Sequence, residues 1–429
     1  MVTETSIFDR PTEFSAEVRE AWAAKGWPEA LLQRAGQLRV DANMMGWWFS
    51  AKRQWDVDGV AKYLDRREQL MHGTMRVRMA TWNDDEALAD LYANSPEEIG
   101  DWEVTVERGP YPFAQFRLQE HWAVSVLEDR GVILAATADA SRNTIVGGKR
   151  TTVHVASAWR VRKEFRGKGL SRMLRMAEGP PTSWFGFYNY YYIRSQNFAA
   201  AEWAKSFIPE MAKAPEREGD VPGLTAAVQN LAARPFRGDR SGIRLAEPSD
   251  LRSCLALINR THKGCDLFRP YTEDFLDQRL NDPCWGDKPP FWVPVYGWPD
   301  YYVLEDGGRV VACGGLWDKG KNVREVWRHK TSAETRTVDS ASLLDFGYTA
   351  GREDAMARLI DYMTGLAHEL GRHHLTVGAA HLPKLYRELE SREPAPETRA
   401  FHFQLYSPEA DEWQMTLTPK RVYTDLAYW

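Results

Sequence analysis

Apolar residues first recur at helical spacing. They fall as Val18 and Trp22, then Leu31, Leu32 and Ala35, then Val60, Tyr63 and Leu64, between Gly, Pro and charged breaks. One stripe every 3 to 4 residues predicts short amphipathic helices over 15–24, 28–36 and 57–70. Residues 1–74 thus read as a small helical segment that docks on the rest of the chain. The pattern changes at Met75. Met75-Arg-Val-Arg-Met79 alternates as a strand does, and Asn83-Asp-Asp-Glu86 has the form of a capping box before a helical face of Ala87, Leu88, Leu91 and Tyr92. Alternation over 121–127, a turn at Glu128-Asp-Arg-Gly131 and an apolar run over 132–138 predict a hairpin. A polar loop over 141–150 leads to a long strand, 151–161. Past the turn Arg166-Gly-Lys-Gly169, the residues Leu170, Met173, Leu174 and Ala177 share one helical face, which stops at Gly179-Pro-Pro181. An aromatic strand over 184–193 and a helix over 197–207 complete this unit.

The same order then starts again. A charged stretch, 209–242, reads as a linker holding a helix-like run at 224–232. Ile243-Arg-Leu-Ala246 echoes Val77-Arg-Met-Ala80, and Val303-Leu-Glu-Asp-Gly-Gly308 echoes Val126-Leu-Glu-Asp-Arg-Gly131. A helix carrying Leu251, Cys254, Leu255 and Ile258, a helix over 353–370, a strand over 375–380 and a helix over 383–389 continue the parallel. The tail, 400–429, supplies final strands. The reading is a half-to-half duplication, 75–208 and 243–429, in an α/β (α+β) chain with mixed sheets. The linker is not Gly/Ser-rich, so the halves are expected to pack as one rigid body.

Composition narrows the classes. At roughly 150 residues per domain, 429 residues make about two or three domains. With 43% hydrophobic and 27% charged residues, disordered and collagenous chains are excluded. No apolar run reaches the ~18 residues of a membrane span, and residues 1–14 lack the basic start and apolar centre of a signal peptide. The net charge of −5 gives no global reason to expect nucleic acid as partner. Cys254, Cys265, Cys284 and Cys313 form no CxxC pair, so reduced thiols in a cytoplasmic protein are expected. The 18 Trp residues mean large cores or an aromatic pocket.

The segment Val161-Arg-Lys-Glu-Phe-Arg-Gly-Lys-Gly-Leu-Ser171 carries the chemistry. A strand runs through a Gly-containing turn into a helix N-terminus, where unpaired N–H groups and the positive helix end can hold a pyrophosphate. Gly167 and Gly169 let backbone approach a phosphate closely. Arg160, Arg162, Lys163, Arg166, Lys168, Arg172 and Arg175 stand against one acid, Glu164, and this local excess favours an anionic ligand. The segment is neither a Walker A loop nor a Rossmann fingerprint.

These residues resemble the GNAT superfamily of acyl-CoA-dependent N-acyltransferases, whose phosphate loop reads Q/R-x-x-G-x-G/A. Arg166-Gly-Lys-Gly169-Leu-Ser171 matches its first two fixed positions and places Ser at the third. Asn197-Phe-Ala-Ala200 is similar to the family's later N-x-x-A helix. The resemblance implies two GNAT-like domains in tandem behind the helical segment, the second degenerate. It implies that Val161, Arg162 and Lys163 run beside pantetheine, that Arg166, Gly167, Lys168, Gly169, Leu170 and Ser171 hold the pyrophosphate, and that Asn197 contacts the pantetheine arm. The implied activity is transfer of an acetyl or other short acyl group from acyl-CoA to the amine of a small molecule. No metal is implied. A non-catalytic acyl-CoA sensor and an aminoacyl-tRNA-dependent transferase remain as alternatives.

The catalytic positions depart from the pattern. Where many members carry a Tyr acid stands Ala204, and where some carry a Glu stands Val153. His154 is next to it, on the opposite strand face unless a bulge intervenes. Tyr190, Tyr191 and Tyr192 lie on the strand expected to face the cleft. Tyr192, His154 and Tyr386 are the candidates for proton transfer, and the residue itself stays open. In the second half, Tyr348-Thr-Ala-Gly-Arg-Glu-Asp354 has one Gly and two nearby acids, which would repel pyrophosphate. His373 and His374 are adjacent on a strand and face opposite ways, which argues against a shared metal. His381 reads as polar lining or a satisfied core histidine.

Overall fold

The computed structural model describes residues 73–109, 112–166 with a few gaps, 188–194, 224–281 apart from 227, 295–392, 401–406 and most of 422–428. It also describes parts of 20–37 and single residues at 61, 64, 65, 68, 170, 174 and 394. The turn at 167–169, the helix over 197–207 with Asn197, and the strand start at 184–187 lie outside the described residues, as does Ser171.

In chain order, α1 (Glu29–Gln37) precedes β1 (Met75–Met79), α2 (Asp85–Ala93), β2 (Glu97–Ile99), β3 (Trp102–Arg108), β4 (His121–Asp129), β5 (Val132–Val146), β6 (Lys149–Val161) and β7 (Tyr188–Arg194). Next come β8 (Leu224–Ala226), β9 (Gln229–Ala232), β10 (Ile243–Leu245), α3 (Leu251–Thr261), α4 (Glu273–Asn281), β11 (Tyr301–Asp306) and β12 (Arg309–Trp317). The chain continues through β13 (Val323–His329), β14 (Thr335–Tyr348), α5 (Glu353–Glu369), β15 (His374–Val377), α6 (Pro383–Glu390) and β16 (Phe401–Tyr406). The first sheet runs β1-β4-β5-β6-β7-β16-β8, and the second runs β10-β11-β12-β14-β13-β3-β2, with β15 beside β14 and β9 beside β15. The expected mixed α/β class is what the chain adopts. Each sheet is antiparallel except for one parallel pair, β6–β7 in the first and β14–β15 in the second.

The echoed tetrapeptides hold the same ionic anchor. Arg78 donates to both carboxylate oxygens of Asp84 at 2.7 Å and from Nε to Glu128 at 2.9 Å. Arg244 donates to Asp250 at 2.7 and 2.9 Å and from Nε to Glu305 at 3.1 Å. Each aspartate also accepts from the backbone three residues earlier, Thr81 N–H at 2.6 Å and Glu247 N–H at 2.9 Å. The capping box is therefore Thr81 with Asp84, ahead of α2, not the expected Asn83 with Glu86. A 3₁₀ turn, Trp82–Asp84, precedes α2 and moves the cap forward.

Two further expectations are corrected. Residues 141–150 are not a loop, because β5 and β6 pair through Ser141↔His154, Arg142↔Val153 and on to Val146↔Lys149. Polar side chains hid this strand; Arg142 and Thr144 are buried while Asn143 is exposed. The run at 224–232 is two strands, not a helix. β8 pairs with β16, and β9 pairs with β15. Partner strands distant in sequence override the local spacing.

The sheets do not divide the chain at 209–242. Strand β3, from the first half, pairs with β13 along its whole length, from Trp102↔His329 to Arg108↔Val323. Strand β16, from the tail, lies between β7 and β8 of the first sheet. One apolar core joins Ala140, with Leu118 and Trp122 packed against it, to Cys254, Ile258, Phe268 and Tyr301, and to Tyr423 and Leu426 of the tail. A second lies between α5 and the second sheet, around Met356, Ile360 and Met363. Cys254, Cys265 and Cys313 are buried and not in disulfides. No helix among the described residues is long and apolar enough to cross a membrane.

Candidate functional site

A cleft opens where β6 and β7 part. They pair only through Val153↔Tyr188, His154↔Asn189 and Val155↔Tyr190. Past these residues β6 keeps its other neighbour, β5, as far as Val161, and β7 keeps β16 as far as Arg194. Among the described residues, the separation leaves one edge of 156–161 without a strand partner, leading toward the turn at 167–169. A bulge bends β6 inside this stretch. The register shifts between Ala136↔Arg160 and Ala138↔Ser157, and Ala158 has φ +54°. A bulge places an extra residue in one strand and takes its backbone out of the ladder. Tyr92, buried on α2, donates its hydroxyl to the Ala158 carbonyl at 3.0 Å and holds the bulge in place. The bulge comes after His154, so Val153 and His154 keep opposite faces, as their unbroken register with Arg142 and Ser141 requires.

Four of the cations expected to greet an anion, Arg160, Arg162, Lys163 and Arg166, lie among the described residues and have partners. Arg160 pairs with Glu97 at 2.5 Å, Arg162 with Asp90, and Lys163 with Glu103 at 2.8 Å. The hydrogen bond to Glu103 raises the Lys163 pKa above its ordinary value. Arg162 also donates to the Ile133 carbonyl at 2.7 Å, and its backbone N–H bonds to the Leu134 carbonyl at 2.9 Å. Arg166 donates to the carbonyls of Pro96 at 2.6 Å and Val161 at 3.3 Å. Of the seven cations read from the sequence, Arg160, Arg162 and Lys163 are thus paired with Glu97, Asp90 and Glu103. These acids come from α2, β2 and β3, tens of residues earlier in the chain. Their clustering was visible, but not their position.

Of the remaining expected site residues, Leu170 is helical and buried with Leu174 against Val77, Leu127 and Leu134. Tyr192 lies on β7 past the last residue paired with β6, and His154 lies on β6 in the paired stretch. Tyr386 is on α6 of the second half, where its carbonyl accepts from Gln229 at 3.1 Å and burial raises its hydroxyl pKa.

The second sheet has the matching cleft, closed by its own side chains. β14 and β15 pair only from Ser340↔His374 to Ser342↔Thr376. β14 bulges at Asp345, φ +48°, whose carbonyl accepts from the Tyr301 hydroxyl at 2.6 Å. The Thr261 hydroxyl both accepts from the Tyr348 N–H at 2.9 Å and donates to its carbonyl at 3.1 Å. His262 Nε2 bonds the Phe346 carbonyl at 2.8 Å, and His262 Nδ1 meets His381 Nε2 at 2.8 Å. Thus the C-terminal turn of α3 occupies the strand edge that stays open in β6. The role of His262 as partner to His381 is invisible in the sequence, since 119 residues separate them. His373 pairs with Asp339 at 2.8 Å. No group of three or more His, Cys, Asp or Glu among the described residues is arranged to hold a metal ion.

No family model and no curated protein matches the sequence. Among solved structures, the fold is similar to N-myristoyltransferase of Saccharomyces cerevisiae with bound myristoyl-CoA. That alignment has a TM-score of 0.54 and 11% identity, covering 78% of this chain and 79% of the other. A second structure of that enzyme, with myristoyl-CoA and inhibitors, aligns at TM-score 0.53 and 12% identity over 78% of this chain and 80% of the other. At such identities the likeness shows the fold alone, that of N-myristoyltransferase.

Proposed function

We propose that this protein is an acyl-CoA-dependent N-acyltransferase that passes an acetyl or other short acyl group to the amine of a small molecule. The observation that carries the reading is the parting of β6 and β7 beside a bulged strand edge that leads into Arg166-Gly-Lys-Gly169. A fold shared with an enzyme whose solved structures hold myristoyl-CoA supports it. The exposed backbone edge of β6 would run beside pantetheine near Val161 and Lys163. The Arg162 N–H is already bonded to the Leu134 carbonyl, so a contact of this residue with pantetheine would use its other atoms. Amides over 166–171 would hold the pyrophosphate, and Asn197 would touch the pantetheine arm. We also propose that the two halves descend from one duplicated domain, a reading supported by the two matched Arg–Asp–Glu anchors and bulges.

In the reaction, the amine nitrogen forms a bond to the thioester carbon and the carbon–sulfur bond breaks. The amine loses a proton and the thiolate gains one. Binding both reactants in line supplies most of such a rate enhancement. Tyr192 and His154 are the candidates to carry a proton. The test is calorimetry with acetyl-CoA on the wild type and on a Gly167→Glu, Gly169→Glu variant. The wild type is expected to bind and the variant to lose binding at least tenfold; equal affinities would refute the reading. Release of free thiol in a screen of small amines and N-terminal peptides then identifies the acceptor class.

A further inference from the structure

A chain of buried charges crosses between the halves and plays no part in the chemistry above. Arg142 lies on β5 and donates to Asp425 of the tail at 3.3 Å. Asp425 also faces Arg279 of α4 at 3.5 Å, and Arg279 Nε meets Asp345 of β14 at 2.9 Å. All four side chains are at least nine-tenths buried, and Asp345 is fully so. Two cations and two anions balance, as a buried network must if it is not to leave a bare charge. Asp345 also accepts from the Tyr271 hydroxyl at 2.8 Å. Burial pushes its carboxyl pKa up, against the pull of Arg279.

The two ends of this chain are informative. Asp345 is the bulge residue of the closed cleft, held at φ +48°. Arg142 is the register partner of Val153, and Val153 is the first residue of β6 that pairs with β7. The network therefore reaches the first sheet beside the closed end of the short β6–β7 ladder, two residues before Val155↔Tyr190, the last pair before the strands part. The tail segment that supplies Asp425 is itself fastened on both sides. The Tyr423 N–H bonds to the Asp266 carbonyl at 2.9 Å, and Gln119 of the first half donates to the Ala427 carbonyl at 3.2 Å.

We propose that Arg142, Asp425 and Arg279 are positioning residues: through them the second half and the tail set how far β6 and β7 stand apart at the mouth of the first cleft. Strand β5 cannot shift along its hairpin without carrying β6 with it, so an anchor on Arg142 fixes the register and tilt of 153–161. The consequence for acyl-CoA rests on the proposed function; the structural readout does not.

The experiment compares the full-length wild type with Asp425→Asn and with the double variant Arg142→Met, Asp425→Asn. The double variant removes one charge of each sign and leaves Arg279 paired with Asp345, so it stays folded if the single variant does not. Amide hydrogen exchange is read across the chain. Exchange at least tenfold faster over 150–161 and 188–194 is expected. Faster exchange confined to 266–281, 340–348 and 422–428 would show a purely local structural role and overturn the inference. Acetyl-CoA calorimetry on the same proteins is expected to show at least tenfold weaker binding in the double variant. Wild-type affinity in that variant would also overturn the inference. Absence of binding by the wild type would instead refute the proposed function, and the exchange pattern would then decide the inference alone.

Discussion

His262 is boxed in by chemistry that leaves one protonation pattern. The Phe346 carbonyl can only accept, so His262 Nε2 carries the proton; Nδ1 must then accept from His381 Nε2. Both rings are neutral. Burial lowers the His262 pKa to about 4 and pushes His381 well below its ordinary value. Between about pH 4 and 6.5 the unfolded chain binds a proton that the folded His262 refuses. Its contribution to stability is thus fully present above about pH 6.5 and is lost as pH falls toward about 4, on the order of 3 kcal/mol in total. Urea unfolding at pH 7.5, 6 and 4.5 is expected to show a shallower loss in His262→Gln than in the wild type. Parallel profiles would contradict this account. A single histidine in a sequence shows none of this, because the shift comes from the atoms that enclose it.

At the scale of elements, the packing of α3 on β14 shows how contact type sets the cost of a methyl group. A Cβ on Gly347 would lie 2.4 Å from the Ile258 nitrogen and 2.5 Å from the Leu257 carbonyl carbon, both backbone atoms of α3. A Cβ on Gly314 would meet the Leu343 methyl at 3.0 Å and the Phe346 Cβ at 3.2 Å, and the first of these is the free end of a side chain. Backbone of a packed helix cannot yield as a methyl can. Gly347→Ala is therefore expected to cost about 2–3 kcal/mol and Gly314→Ala less than about 1 kcal/mol, measured by denaturant midpoints at constant slope. Similar losses would mean that the helix slides freely on the strand. Helices α3 and α5 were legible from spacing, since α3 buries Leu251, Cys254, Leu257 and Ile258, and α5 buries Met356, Leu359, Ile360 and Met363. Strands that pair across the halves were not. β3 carries Thr105 and Arg108 buried beside Val104 and Val106, so no clean alternation marks it.

Over the whole molecule, strand exchange replaces a conventional interface. The tail completes the first sheet, residues 229–232 complete the second, and β3 lies in a ladder with β13. A chain cut by protease at a site engineered within 209–223 is expected to stay together on size exclusion and to melt in one transition. Separation means breaking backbone ladders as well as exposing the shared apolar core, and unpaired strand edges are costly. Fragments that part freely and melt independently would rule this out.

The sequence by itself determined what depends on neighbours along the chain: the faces of α3 and α5, the β4–β5 hairpin, and the repeated Val-Arg-Met-Ala and Ile-Arg-Leu-Ala strands. Each rests on a period of two or three to four residues, which is a local property. Only the tertiary structure decided which strands lie side by side, that Arg160, Arg162 and Lys163 meet Glu97, Asp90 and Glu103, and that Thr261 and His262 close the second cleft. Those outcomes depend on contacts between residues tens to hundreds of positions apart. Such contacts are chosen by the burial of the whole chain, and a polar residue such as Arg142 reads as surface until its partner, Asp425, arrives from 283 positions away.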